Sequence, residues 1–568
     1  LSGLAYASGY MPPRLGVGCV LSGLAYASGY YVASLRRRGI MPPRLGVGLG
    51  SWPDFGLGST GIGQPDRRLF GYSTILTPRK RHVSSTTIAS ECRSAEELDR
   101  LYRQRLHRFV TAMRNDKPDR VPIRPFLAEF CGKLTGHAVM EVTHDFEHAF
   151  AAVRETAKIL DVDALVGNMV YVWTGLTQAL GLKYYGVPGF DCLPDHGFQY
   201  REPPEEKAWM RPEEYDHLID DPTGYLYEVW LPRISTEIVA PGATCTYRNQ
   251  LALVKGSLAM LHYFQGFGRQ AQLMRTEAGM PGALSGILKA PMDILADKLR
   301  GYLGLVTDLR ERPEKVKAAC EALAPHMLHT ALSGADPQKL LPIGFWMHRS
   351  CAPFINPKQF DEINWPTLKP IIENIWAAGH QTLFYAEGKW GHHLEAFQEL
   401  PDRSIIYHAD RDDVFEVHRK LGKKFCISGG VPNTILTLGT PDRVRECCKR
   451  ILDEVAVDGG YIMDASAIVQ EDAKEENVRA MIEFTREYGG YGTEPCDEFP
   501  QGAAPEPGFT ATDISAWQTK RHPGVCIPWS EKQKELPPVQ AHEDLVERIW
   551  SEIDGLGNMF IYQVLVSF

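Results

Sequence analysis

The chain has 568 residues, 44% of them hydrophobic, with a net charge of −9 and a pI near 6.1. Such a length supports a sizeable core, and the acidic balance leaves no electrostatic footprint for DNA or RNA. Its 12 cysteines form no CxxC pair, which argues against a zinc ribbon or a disulfide framework and suits a reducing cytoplasm; no apolar run reaches the roughly 18 residues of a membrane span.

Residues 1–10 recur letter for letter at 21–30, and residues 11–18 at 41–48. Structural repeats diverge and carry a whole folding unit. These are short, identical and unevenly offset, so residues 1–90 are read as an irregular, poorly packed segment with no chemistry assigned. Arg36, Arg37 and Arg38 follow the apolar stretch instead of preceding it, so no secretory leader is expected.

From residue 91 to 491 the pattern is that of alternating strands and helices. Ser94 and Glu97 have the spacing of a capping box, and Leu98, Leu101, Leu106, Phe109 and Met113 recur at helical spacing after them. Strand-like runs are predicted at residues 121–127, 164–166, 284–288, 341–347, 381–386, 404–408, 424–428 and 459–463. A long insertion, residues 171–281, follows the second run. Eight strands alternating with helices predict a (β/α)8 barrel, whose active site lies at the carboxyl ends of its strands. Residues 492–568 change character: prolines mark a linker, and residues 542–553 read as one helix with Leu545, Val546, Ile549 and Trp550 on one face. This tail is read as a docking arm, or as a strap to a second copy.

The last five runs end in polar residues or glycine, and this places candidates at one pocket. Glu387 is read as a metal ligand or acid, against the plainer alternative of a rim salt bridge. His348 is a ligand or proton donor, or simply a satisfied imidazole. His408 with Asp410 is a ligand pair or an orienting pair, and Asp464 closes the last run. Gly429 and Gly430 are expected to let backbone approach a ligand. In the insertion, Tyr171, Trp173, Tyr184 and Tyr185 either line an apolar pocket or cover the barrel mouth.

Several pieces carry a resemblance: Phe345-Trp-Met-His-Arg-Ser, Gln359-Phe-Asp-Glu-Ile-Asn-Trp-Pro, Tyr385-Ala-Glu-Gly-Lys-Trp, Cys426-Ile-Ser-Gly-Gly-Val-Pro and Gly439-Thr-Pro-Asp-Arg-Val. As a set they resemble the uroporphyrinogen decarboxylase superfamily, which implies the same (β/α)8 fold. The decarboxylases grip substrate carboxylates with an Arg-Gln-Ala-Gly-Arg-Tyr motif after the first strand. Here that region reads Pro125-Phe-Leu-Ala-Glu-Phe-Cys-Gly, and the carboxylate of Glu129 would repel a polycarboxylate. The other branch comprises methyltransferases that work with a corrinoid protein. Its coenzyme M type holds zinc with a His-x-Cys-Gly motif and a later Cys; Tyr385-Ala-Glu387-Gly388 and Asp464 or Ser466 match those positions. The thiolates are gone, which favours the branch that demethylates oxygen- or nitrogen-bound methyl groups.

The strand ends and the resemblance together make Glu387, His348, His408 and Asp464 the candidate catalytic residues, and Glu387, His348 and Asp464 candidate ligands of a metal such as zinc. Substrate contact falls to Tyr171, Trp173, Arg349, Tyr385, Trp390, Gly429 and Gly430. The expected reaction moves methyl from an O- or N-methylated small molecule to, or from, a cobalamin-type corrinoid. Asp195-His196-Gly197 is too short for a corrinoid-binding motif, so the corrinoid is expected on a partner protein. Two other readings stay open: a non-catalytic barrel binding a tetrapyrrole or corrinoid, and a lyase decarboxylating a small carboxylated substrate gripped by Arg124, Arg349 or Lys389.

Overall fold

The structure, a computed structural model, describes residues 93–567 except 168–173, 202, 205 and 206. The readings of residues 1–90, and of Tyr171 and Trp173, lie outside the described residues.

Helix α1 (Ala95–Met113) opens with the expected capping box: Ser94 N donates to Glu97 Oε2 at 2.7 Å and Glu97 N to Ser94 Oγ at 3.2 Å. Each of the eight predicted runs overlaps a strand: β1 (Phe126–Ala128), β2 (Val166–Gly167), β3 (Ile287–Lys289), β4 (Ile343–Met347), β5 (Thr382–Ala386), β6 (Ile405–Ala409), β7 (Cys426–Gly429) and β8 (Tyr461–Ile462). Strands β3 to β8 form one parallel sheet in chain order, and β1 pairs parallel with β2. A parallel bridge between Ile123 and Met463, with Arg124 N donating to Met463 O at 3.0 Å, carries β8 round to the β1 side. This is the (β/α)8 arrangement; among the described residues no ladder joins β2 to β3.

Register fixes which side chains fill the barrel. Lys289, Trp346, Tyr385, His408 and Ser428 are successive cross-strand partners, so all five share one row. Trp346 and Tyr385 rings lie 4.6 Å apart, Tyr385 stacks on His408 at 4.2 Å, and Phe126 reaches Trp346 at 5.3 Å. Their neighbours Phe345, Phe384, Tyr407 and Ile427 alternate outward into the helix-facing core. The apolar face of α1 closes the amino-terminal end of the barrel, where Leu106, Phe109 and Met113 share a cluster with Phe126, Tyr385 and Cys426. Arg108 and Arg120 pair with buried Asp163, whose carboxylate also accepts from Ile123 N at 2.9 Å, so α1 and the entry to β1 are tied together.

The insertion is more regular than its glycines and prolines suggest. It ends in a 32-residue helix, α2 (Tyr247–Ala278). Two of its glycines permit close packing: a Cβ at Gly256 would meet Leu180 at 2.4 Å, and one at Gly266 would meet Phe150 at 2.8 Å. The tail runs along the barrel, with Ala503 N donating to Lys339 O at 2.8 Å and Thr512 Oγ1 to Glu373 at 2.6 Å. It ends in a helix twice as long as expected. With the helix Pro313–Ser333 as α3, this last helix, Glu543–Ser567, is α4. Tyr562 of α4 stacks on His326 of α3 at 4.9 Å, and Phe560, Ile561, Val564 and Leu565 are buried. Among the described residues, no helix is long and apolar enough to cross a membrane.

Candidate active site

Strand alternation places the site two residues beyond the inward row. His348 follows Trp346, Glu387 follows Tyr385, Asp410 follows His408, Gly430 follows Ser428 and Asp464 follows Ile462. The structure draws these residues into two clusters.

The first spans the ends of β3, β4 and β5. His348 Nδ1 lies 2.7 Å from Asp297 Oδ2, and His348 Nε2 lies 3.6 Å from Glu387 Oε2. Lys289 Nζ is 2.9 Å from the same Asp297 oxygen and 3.3 Å from His348 Nδ1. A carboxylate only accepts, so Nδ1 carries a proton and Nε2 is turned towards Glu387. Burial alone would raise Asp297, but the charges of Lys289 and His348 hold it well below the ordinary carboxyl range. Asp293 fixes the loop that presents the imidazole: it accepts from His348 N at 2.9 Å, Arg349 N at 2.8 Å and Ser350 Oγ at 2.8 Å. Arg349 joins this cluster at 3.4 Å from Asp297, with its guanidinium 4.9 Å from the Phe354 ring centre.

Sequence reasoning missed Asp293, Asp297 and Lys289. Their signal was there: two aspartates four residues apart in the helical stretch straight after β3, hence on one face of it.

Glu387 is half exposed and lines a cavity of about 1220 Å³ together with Lys389, Asp410, Asp412, Arg443 and Ser466. Its backbone is fixed from below, where Trp390 Nε1 and Cys351 Sγ approach Glu387 O at 3.1 and 3.4 Å. Gly388 follows at φ +96°, where a Cβ would meet Cys351 Sγ at 2.5 Å. Asp410 accepts from Gly388 N at 2.8 Å. Burial, with the nearby charge of Glu387, pushes its carboxyl up to about 6.

The second cluster joins β1, β6, β7 and β8. Arg124 Nη2 lies 3.0 Å from Asp464 Oδ2, and all four members, Arg124, His408, Ser428 and Asp464, are buried. His408 Nε2 faces Ser466 O at 3.0 Å and its Nδ1 faces Ser428 Oγ at 3.0 Å and Arg124 at 3.3 Å. The carbonyl accepts and the guanidinium donates, so the ring is the neutral Nε2–H tautomer. Burial and the Arg124 charge hold it well below its ordinary value. Burial pushes Asp464 up to about 7 despite Arg124.

This division corrects the expected ligand set. Asp464 is committed to Arg124 and not grouped with His348 and Glu387, and among the described residues no three His, Cys, Asp or Glu side chains are arranged to hold a metal ion. His408 is an internal polar partner, since both its ring nitrogens are engaged. Tyr385 and Trp390 are buried in packed aromatic layers, and neither lines the cavity. Tyr184 is likewise core, its hydroxyl donating to Lys298 O at 2.7 Å. Gly430 lines the cavity, and both glycines also lie close against the chain's own atoms. A Cβ at Gly429 (φ +84°) would meet Ala409 O at 2.6 Å, and one at Gly430 (φ +94°) would meet Val414 at 2.8 Å.

The family model of uroporphyrinogen decarboxylase (URO-D) matches residues 257–488. No curated protein matches the chain. Among solved structures, the chain is similar to a methyltransferase from Methanosarcina mazei, at 13% identity and a TM-score of 0.44, over 67% of this chain and 98% of that one. The matched segment, residues 257–488, contains β3 to β8 and the whole Lys289–Asp297–His348–Glu387 cluster.

Proposed function

We propose that the chain is a methyltransferase that takes a methyl group from an O- or N-methylated small molecule and passes it to a corrinoid carried on a partner protein. The observation that carries this reading is the chain of groups Asp297, His348 and Glu387 ending at the barrel mouth, 2.7 and 3.6 Å apart in turn. Demethylation of an ether or an uncharged amine leaves a poor leaving group, and a positioned acid is what such a reaction needs. The cavity of about 1220 Å³ exceeds the roughly 300–1,000 Å³ of an ordinary small-molecule pocket. It has room for a small substrate and for a larger group presented from outside. The donor set does not fit zinc, so no step is routed through a metal ion bound by this chain.

When presented by the partner, the reduced corrinoid supplies the nucleophile. The remaining work falls to this chain. The bond between methyl carbon and heteroatom breaks, and its electron pair stays on the heteroatom. Glu387 donates the proton that neutralises that pair. His348 resupplies Glu387 through Nε2, and Asp297 balances the imidazolium while Lys289 and Asp293 keep ring and loop in place. Arg349, beside the cluster and partly exposed, is suited to an anionic group on the substrate.

The test is anaerobic incubation with a reduced corrinoid protein and a panel of methoxyaromatic and methylamine donors, following the corrinoid absorbance. Methylation by one donor class is expected. Carbon dioxide released without corrinoid would replace this reading by the lyase; ligand binding with no turnover would replace it by the binding barrel. Within the same assay, Asp297→Asn is expected to lower kcat by about 10- to 100-fold, the usual cost of losing a carboxylate that orients a functional imidazole. An unchanged kcat would remove Asp297 from the mechanism.

A further inference from the structure

We propose that Lys298 is a covalent modification site, its buried side-chain amine taking up carbon dioxide and holding it as a carbamate. Nothing in this depends on which reaction the barrel catalyses. Two lysines are buried beside the His348 cluster, and they differ in one respect. Lys289 has a counter-ion, Asp297, at 2.9 Å. Lys298 is 1% exposed, and among the described residues its Nζ has neither an ion pair nor a hydrogen-bond acceptor. It lies instead 4.3 Å from the ring centre of Tyr184 and 5.5 Å from that of Tyr185. The backbone enforces this placement. Lys298 belongs to a single π turn, Leu295–Leu299, in the helical stretch after β3, a distortion frequent at functional sites. Its carbonyl accepts from the Tyr184 hydroxyl and from Trp230 Nε1, each at 2.7 Å, so the insertion clamps the residue against its own aromatic wall.

A buried ammonium with no anion beside it is costly, and ring faces offset only part of that cost. Burial, with the charge of Lys289, holds Lys298 well below the ordinary lysine range. A desolvated amine next to a second cation keeps its lone pair and is a nucleophile. Burial also selects the electrophile: a linear, uncharged molecule of three atoms reaches such a site more readily than an ester or a larger aldehyde. In the step, the Nζ lone pair forms a bond to the carbon of carbon dioxide. One carbon–oxygen π pair moves onto oxygen, and one N–H proton passes to water. The product carries the anion that two lysines sharing one Asp297 lack. Lys289 is close enough for its charge to act on Lys298, and it becomes the counter-ion of the carbamate. Tyr185, read from the sequence as lining or covering the mouth, is only partly buried. The charges of Lys289 and Asp297 both act on its hydroxyl. That hydroxyl makes no hydrogen bond among the described residues, so it is free to donate to the carbamate.

The test holds the full-length chain in carbon-13 bicarbonate at pH 8. Carbonyl NMR reads the carbamate, and peptide mass after trapping with a trialkyloxonium salt locates it. Label is expected on Lys298 at about tenfold or more over the exposed lysines, because each pKa unit of depression leaves ten times more free amine. Lys289, protonated against Asp297, is expected to stay unlabelled. Tyr185→Phe is expected to lower the labelling several-fold with the fold retained. The melting temperature of the wild type should rise with added carbon dioxide, as for any ligand of the folded state, and that of Lys298→Met should not. A Lys298 peptide without label would overturn the proposal and leave Lys298 as a packing residue on Tyr184. Label spread evenly over the exposed lysines, or a rise in melting temperature that survives in Lys298→Met, would overturn it equally.

Discussion

Glu387→Gln is expected to lower the rate of methyl transfer by about 10²- to 10⁴-fold, the usual worth of a positioned proton donor, while leaving the fold intact. The amide keeps the size and shape of the side chain but has no acidic proton to give. Little stability rests on the carboxylate, because Glu387 is half exposed and approaches His348 only at 3.6 Å. The melting temperature should therefore stay close to that of wild type. A second readout separates a chemical role from a structural one. The charge of Glu387 is one reason the Asp410 carboxyl is raised to about 6. Removing it moves the Asp410 titration to lower pH, and any pH-rate limb that reports Asp410 should move with it. Steady-state kinetics across pH 5 to 8 on both proteins provide the check. Retained turnover in Glu387→Gln would sink the assignment of Glu387 as the acid.

How far the site was legible follows from what strand pattern records. All eight strands could be read because a parallel sheet covered by helices writes each strand as a short apolar run between breakers. His348 and Glu387 could be read because a polar residue just past such a run is exposed to the mouth. The same rule misassigned His408, which is the last residue but one of β6 and sits a layer lower, against Tyr385 at 4.2 Å. It also misassigned Asp464, whose position was right but whose partner, Arg124, lies far away in sequence; pairing across a barrel leaves no local signal. Asp293 and Asp297 were passed over because a helix with buried carboxylates looks like any surface helix until its neighbour is known. The second half of α4 escaped for the opposite reason: Phe560, Ile561, Tyr562, Val564 and Leu565 are buried all round, so no amphipathic period marks them. The insertion contains the long helix α2, in which Gly256 and Gly266 supply close contact and not flexibility.

Glu129→Gln is expected to stabilise the protein at pH 8 by about 3 kcal/mol and to leave it unchanged near pH 4. Glu129 follows β1, is 3% exposed, and its Oε2 has no hydrogen-bond partner among the described residues. Burial, with the charge of Glu471 adding to it, pushes this carboxyl from 4.5 up to about 7. The direction of the effect follows from proton binding. Between those two values the folded protein holds a proton that the unfolded chain has released, so stability falls as pH rises. Below the unfolded value both states are protonated, and the site costs nothing. Above the folded value the buried carboxylate carries its full cost. At about 1.4 kcal/mol for each pH unit between the unfolded and folded values, that cost is about 3 kcal/mol. Glutamine keeps the shape and a neutral amide at every pH, so the cost disappears with the charge. Asp464, also raised to about 7, and the depressed imidazole of His326, near 3, add their own pH dependence. Both are present in wild type and variant alike, so the difference between the two melting temperatures isolates Glu129. That difference should open between pH 5 and pH 8, with the variant the more stable. A difference that stays constant across this range would mean that Glu129 is not held in an uncompensated, buried state.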